Sequence, residues 1–386
     1  MHPSAYTRAD FAHSPLMFYY EVTRACDLVC MHCRAESQTC AAPGELQHAD
    51  SLRLIDQLAT FPRPPNLVLT GGDPLKRADI FELIAYAAGK GLSVALTPSA
   101  TPLATGESFR RARDAGALRL GISLDGADAA THDSFRGWSG SFARTLEMLA
   151  DARTLGLGVQ INTSITRRNF HQIDAMAELL AREGIFMWSV FFLIPVGRGV
   201  GQERITPAEY EVAFEKLWTH ARSKPFAVKT TEAPHYRRYV LQQGGNPQAG
   251  RGSENVQHPT SNVQRSSSDR PAPPSARDHH ARAPLGVGDG KGIMFVSNAG
   301  EIYPAGFLPL LCGKFPTDSV VETYQTHPTF LRLRDPNQLK GKCGACEYRQ
   351  VCGGSRSRAY AVTGDDMAAE PDCTYESPGG LPLVGV

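Results

Sequence analysis

Short apolar runs alternate with longer amphipathic stretches through the first half of the chain. Residues 17–22, 67–70, 93–97, 118–123, 159–165 and 187–193 form apolar runs of strand length. Between them, residues 51–60, 80–89, 107–115, 142–155 and 173–183 carry apolar positions at helical spacing. Thr105 or Gly106 can cap the third of these helices, and Gly116 can end it. Strand and helix alternating at this length predict βαβ units around a parallel sheet. Six such strands predict an α/β fold, a partial (β/α)6 TIM-like barrel rather than a closed barrel of about eight strands. Functional loops then follow the C-terminal ends of the strands.

Residues 206–223 read as one more helix, with Thr206 as cap and Pro207 at its first position. The periodicity then stops. From Gly244 to Pro284 the chain is rich in Gly, Ser, Pro, Asn, Gln and Arg, which predicts a disordered excursion or long surface loop. His279 and His280 fall inside it and read as a solvated pair. Order returns at Gly292-Ile293-Met294-Phe295-Val296. Ser297-Asn298-Ala299-Gly300 makes a turn and Glu301-Ile302-Tyr303 a return strand, a hairpin signal. The expected divisions are a barrel over 12–223, a connecting segment over 224–285 and a small cysteine-rich α+β domain over 286–386.

Composition narrows the class. A chain of 386 residues that is 42% hydrophobic can bury a sizeable core. A formal net charge of +1 makes no demand for nucleic acid or an anionic membrane. No apolar run approaches the ~20 residues of a membrane span. Met1-His2-Pro3-Ser4 does not open a signal peptide. Nine cysteines without a secretory signal point to metal binding in a reducing compartment, the cytoplasm, rather than to disulfides.

Cys26, Cys30 and Cys33 are spaced C-x3-C-x2-C just after the first strand. Three thiolates on one tight loop can hold three irons of a [4Fe–4S] cube, and the fourth iron is left open to a substrate. Structural zinc prefers four ligands in two separated pairs, which this spacing does not supply. The chain here resembles the radical S-adenosylmethionine (SAM) superfamily, with His32 where the family has an aromatic residue. The resemblance implies that the open iron chelates SAM, whose reductive cleavage gives a 5′-deoxyadenosyl radical that takes a hydrogen atom from substrate. It also implies SAM contacts at Gly71, Gly72 and Asp73 after the second strand. Ser123 and Asp125 would add contacts at the fourth strand and Asn162 at the fifth, with Gly197 and Arg198 beside the adenine. Singly, each of these is as well explained as a turn or a core polar residue.

A second set, Cys343, Cys346, Cys352 and Cys373, has a spacing that suits a zinc knuckle as well as a cluster. After a radical SAM core it resembles the SPASM auxiliary-cluster domain. Ala305 and Arg356 stand where that domain usually has two further cysteines, so the resemblance implies one auxiliary [4Fe–4S] cluster, ligated by all four. Cys312 reads as a lone core cysteine or an extra ligand, and Cys40 has no assigned role.

The segments Thr23–Leu28, Gly71–Leu75, Thr231–Arg238 and Cys343–Arg349 resemble the branch that includes the heme and heme d1 synthases. That resemblance implies removal or modification of tetrapyrrole carboxylate side chains. Cationic groups such as His235, Arg237, Arg238, Arg356 and Arg358 would hold the carboxylates. A flavodoxin- or ferredoxin-type donor would supply electrons. Two other readings stand beside it: a maturase acting on a ribosomal precursor peptide, and a non-enzymatic iron–sulfur redox protein. The first strand begins at residue 17, which leaves little chain for a leader-binding domain and favours a small-molecule substrate.

Overall fold

The computed structural model describes residues 6–248 and 285–378. Most of the predicted excursion, His279 and His280 included, lies outside the described residues. The described strands form one ten-stranded sheet. They are β1 (Met17–Glu21), β2 (Asn66–Thr70), β3 (Ser93–Leu96), β4 (Ala117–Ser123), β5 (Gly158–Ile165), β6 (Met187–Phe192), β7 (Ala227–Thr231), β8 (Ile293–Val296), β9 (Glu301–Tyr303) and β10 (Gly313–Lys314). Their order is β10-β9-β8-β1-β2-β3-β4-β5-β6-β7. Strands β1 to β7 are parallel, and the α/β architecture of alternating strands and helices expected from the sequence is present.

Two features differ from the expectation. The parallel run holds seven strands, not six. Strand β7 is Ala-Val-Lys-Thr-Thr, and Val228 is its one buried side chain, so it lacks the apolar run that marks the others. The hairpin β8–β9 also does not found a sheet of its own. It joins the barrel sheet, β8 pairing parallel with β1 from Met17↔Ile293 to Tyr20↔Val296.

Helices α1 (His48–Ala59), α2 (Ile80–Gly89), α3 (Gly106–Asp114), α4 (Ala129–Arg136), α5 (Ser141–Thr154), α6 (Ile173–Glu183), α7 (Pro207–Ser223) and α8 (His235–Gln242) fall between or after the parallel strands. Thr206 caps α7 with Pro207 at its first position, as expected. Helix α4 is not visible in the apolar pattern, because only His132 and Phe135 are buried on it. Its ends are local: the Asp128 carboxylate accepts from Thr131 N at 2.8 Å, and Gly137 closes it at φ 66°. The C-terminal part adds α9 (Val320–Thr326), α10 (Pro328–Arg334), α11 (Gly341–Ala345) and α12 (Arg356–Thr363).

Strand alternation sorts the side chains. Val159, Ile161, Thr163 and Ile165 of β5 face the helices and are buried, while Gln160, Asn162 and Ser164 face the other way, into the barrel. The register carries this inward face across the sheet: Ser123 stands opposite Asn162, Asn162 opposite Ser189, and Ser189 opposite Lys229. The barrel therefore has an apolar outer layer against its helices and a polar inner wall.

Arg358 fastens the C-terminal part to the barrel. Its guanidinium is fully buried. It pairs with Glu370 at 3.1 Å and Asp372 at 3.2 Å, and donates to the carbonyls of Glu232 at 2.6 Å and Phe192 at 3.3 Å. Phe192 ends β6 and Glu232 follows β7, so one side chain joins both strand ends to the cysteine-rich segment. Glu232 holds φ at 60°, a left-handed conformation strained for a non-glycine residue, and accepts from Ser355 Oγ at 2.5 Å. Removing one partner of a buried ion network leaves the others uncompensated, at a cost of about 3–5 kcal/mol. Arg358→Met should lower the free energy of chemical unfolding by that amount. Arg110→Met, at an exposed pair with Glu107, should change it by less than about 0.5 kcal/mol.

Candidate functional site

The loop after β1 is held shut by backbone contacts. Cys26 N donates to Gln38 O at 2.7 Å, and Gln38 N to Arg24 O at 3.0 Å, so the loop returns on itself around the three cysteines. Cys26 and Cys30 are buried and Cys33 is half-buried. From the second strand end, Gly72 N donates to Thr23 O at 2.8 Å and Asp73 N to Ala25 O at 2.6 Å. A Cβ on Gly72 would lie 2.4 Å from Ala25 O, a distance that real Cβ atoms do not show. From the sixth strand end, Gly197 at φ 53° would place a Cβ 2.5 Å from Arg34 O. Arg198 donates to Cys30 O at 2.9 Å and Ser37 O at 3.1 Å. The glycines expected to make room for a ligand thus first make room for the cysteine loop itself.

Asp73 is a brace. Its buried carboxylate accepts from Thr101 Oγ1 at 2.7 Å, Leu75 N at 3.1 Å and Ser99 N at 3.3 Å, and burial pushes its carboxyl up despite them. Ser99 in turn donates to Gly72 O at 2.9 Å and lies 3.6 Å from Cys26 Sγ.

Asp125, just past β4, is the buried anion of the site. It accepts from Ser164 N at 2.7 Å and pairs with Arg136 at 2.5 Å. Burial alone would raise its carboxyl, but the charge of Arg136 outweighs that and holds it below the usual range. Arg136 also reaches Cys30 Sγ at 3.8 Å. His32 approaches Asp125 at 3.6 Å, yet burial pushes its imidazole down to about 4, so near pH 7 this is a contact with a neutral ring. His32 Nδ1 and Arg136 Nε have no hydrogen-bond partner among the described residues. Arg136 has no motif around it in the sequence. It is on the unrecognised helix α4, and only the topology brings it to Cys30.

The structure therefore gathers Gly71, Gly72, Asp73, Asp125, Gly197 and Arg198 around the cysteine loop. Ser123 and Asn162 stand side by side on the inner wall, where Asn162 Oδ1 accepts from Gln160 Nε2 at 2.7 Å. Three thiols converging from one loop, with unpartnered His and Arg donors beside them, fit a three-cysteine [4Fe–4S] site.

Cys343, Cys346, Cys352 and Cys373 line one cavity, together with His235, Arg238, Lys342 and Glu370. Cys343 Sγ accepts from Glu370 N at 3.2 Å and Cys352 Sγ from Gly354 N at 3.4 Å. Burial pushes the Cys346 thiol up to about 11 and raises Cys352 and Cys373 as well, so metal loading must displace protons. The four thiols thus line one common space, as ligands of a single metal centre must. His235 is fully buried, and neither ring nitrogen has a hydrogen-bond partner among the described residues. Burial lowers it to about 3, so the ring is neutral and keeps one N–H that a cluster sulfur could accept.

The substrate candidates are mostly committed elsewhere. His235 faces the second cavity. Arg238 pairs with Glu211 and donates to Gln242 at 2.8 Å. Arg356 is buried and donates to Ala368 O at 2.7 Å and Asp366 O at 2.9 Å. Arg237 donates to Val287 O at 2.7 Å and Val351 O at 3.0 Å. With Arg358 internal as well, these guanidinia are committed to partners within the fold. Ala305 is buried against Leu308, Leu333 and Met367, and Cys312 is a buried thiol outside the second cavity.

Comparison with known proteins places this geometry. The family model of the radical SAM superfamily matches residues 20–197. An AdoMet-dependent heme synthase from Methanosarcina barkeri is 37% identical over 94% of this chain and 97% of its own. A mycofactocin maturase from Mycobacterium tuberculosis is 27% identical over 93% of this chain and 83% of its own. The structure of Streptococcus suis SuiB superposes with a TM-score of 0.67 at 15% identity, covering 94% of this chain and 78% of that one, a likeness of fold.

If the glycine contacts close the first site, Gly72→Ala should lose the first cluster and keep the second. Iron after anaerobic reconstitution should fall from about eight to about four per chain. Full iron retention in this variant would contradict the role given to Gly72.

Proposed function

The chain belongs to the radical SAM superfamily, and from that premise we propose that it oxidatively removes or modifies carboxylate side chains of a tetrapyrrole. The observation that carries this reading is the 37% identity to an AdoMet-dependent heme synthase across nearly the full length of both chains. When bound, the [4Fe–4S] cluster and SAM supply a 5′-deoxyadenosyl radical that can abstract an unactivated hydrogen atom.

The chain's own residues do the rest. Cys26, Cys30 and Cys33 would hold the cluster, and the loop contacts from Gly72 and Arg198 keep them in place without metal. Ser123, Asp125, Asn162, Gly197 and Arg198 would orient SAM from successive strand ends. Arg136, anchored by Asp125, keeps one N–H free of hydrogen bonds for a carboxylate beside Cys30. Turning a propionate into a vinyl group removes a β-hydrogen atom, releases carbon dioxide and leaves one electron. Cys343, Cys346, Cys352 and Cys373 would hold the auxiliary cluster suited to accept it. A flavodoxin- or ferredoxin-type protein is the proposed reductant.

Peptide maturation is the competing reading, favoured by the likeness to a mycofactocin maturase. The test is an anaerobic assay with reductant, SAM and iron coproporphyrin III, a porphyrin bearing propionates. Expected are 5′-deoxyadenosine by chromatography and porphyrin products lacking carbon dioxide by mass spectrometry. Cys30→Ala should reduce both by at least about 100-fold. Formation of 5′-deoxyadenosine with the porphyrin unchanged would contradict the tetrapyrrole reading.

A further inference from the structure

One lysine on the inner wall of the barrel has no counter-ion among the described residues. Lys229 is the central residue of β7. Its neighbour Val228 is buried in the core on the helix side, so strand alternation turns Lys229 to the inner wall. The register places it opposite Ser189, at the end of the polar row that runs through Asn162 to Ser123. Ser189 Oγ shares a hydrogen bond of 3.1 Å with Thr231 Oγ1, the next inward residue of β7. Water reaches the Lys229 side chain, and no hydrogen bond or ion pair to its ammonium occurs among the described residues.

The surroundings add positive charge and no compensating anion. Burial, and then the charge of Arg237, draw the Lys229 ammonium down to about 8. Arg237 is held by the carbonyls of Val287 and Val351, so its own charge is not neutralised by a carboxylate. A second lysine, Lys291, lies close enough to Arg237 to feel its charge. Its Nζ is 3.7 Å from where a Cβ on Gly286 would sit, next to Val287, whose carbonyl holds Arg237. Burial, with Arg8 and Arg237, draws it down to about 8 too, against a weaker opposing effect of Asp335. Other basic side chains are treated differently: Lys216, Lys224, Arg204 and Arg238 each have a carboxylate. An ammonium that water still reaches, but whose charged neighbour is another cation, is open to an incoming anion.

We infer that Lys229 binds a carboxylate of the substrate inside the barrel, at the end of the Ser123–Asn162–Ser189 row, with Lys291 and Arg237 completing a cationic wall. This rests on the tetrapyrrole reading, since the propionates supply the anion. Lysine suits the task as a compact point charge on a flexible stem that can follow a mobile side chain. It also stands in for Arg238, Arg356 and Arg358, whose guanidinia the fold consumes.

Binding tests this without turnover. Metal-free coproporphyrin III and its tetramethyl ester are titrated into the reconstituted full chain, followed by porphyrin fluorescence. Iron content and unfolding midpoint are checked in each variant. Lys229→Met should weaken binding of the tetra-acid about tenfold, as expected for loss of a charge-assisted hydrogen bond. It should leave the ester within about twofold, and Lys229→Arg should recover most of the loss. Unchanged tetra-acid binding in Lys229→Met would overturn the lysine assignment and leave the tetrapyrrole reading standing. Failure of the parent chain to bind either porphyrin would overturn both.

Discussion

The molecule depends on the backbone closure of one loop. Three thiols can share a cluster only if the chain between Cys26 and Cys33 folds back on itself. The loop has little apolar surface of its own with which to fold. Its shape comes from two strand ends that approach closer than any side chain would allow. Gly72 approaches from β2 and Gly197 from beyond β6. The parallel barrel makes this possible, because it delivers every strand end to the same rim. Arg136 and Asp125 then set the electrostatics there, a cation beside Cys30 balanced by one buried carboxylate.

The second centre is coupled to the barrel through shared residues. Glu370 donates its amide N–H to Cys343 Sγ while its carboxylate accepts from Arg358, and Arg358 holds the ends of β6 and β7. Asp372, next to Cys373, pairs with both Arg358 and Arg204. The segment that positions the auxiliary cysteines is thus the segment that closes the barrel. The hairpin β8–β9 completes that closure from the other edge, so the cysteine-rich part is built onto the barrel sheet rather than appended to it.

Much of this was legible in the sequence because its chemistry is local. The C-x3-C-x2-C spacing and the Gly-Gly-Asp-Pro turn are each complete within a few residues, and each strand or helix shows its period within its own segment. Strand β7 and helix α4 were not legible, since neither buries enough apolar residues to show a period. That concealed Lys229 and Arg136, which acquire meaning only from the elements that carry them. The arginine candidates failed for the opposite reason. Arg238 and Arg356 look like free cations in sequence, but Glu211 and the carbonyls of Asp366 and Ala368 satisfy them in the fold. His235 sits in a conspicuous motif, yet the cavity it faces is built by cysteines from the far end of the chain.

The central claim is that the two cysteine sets hold clusters of different kind, one open to SAM and one closed. Electron paramagnetic resonance of the reduced, fully loaded chain separates them. Addition of SAM should change the signal that disappears in Cys30→Ala, and should leave unchanged the signal that disappears in Cys346→Ala. A SAM-dependent change in the second signal, or in neither, would contradict the account.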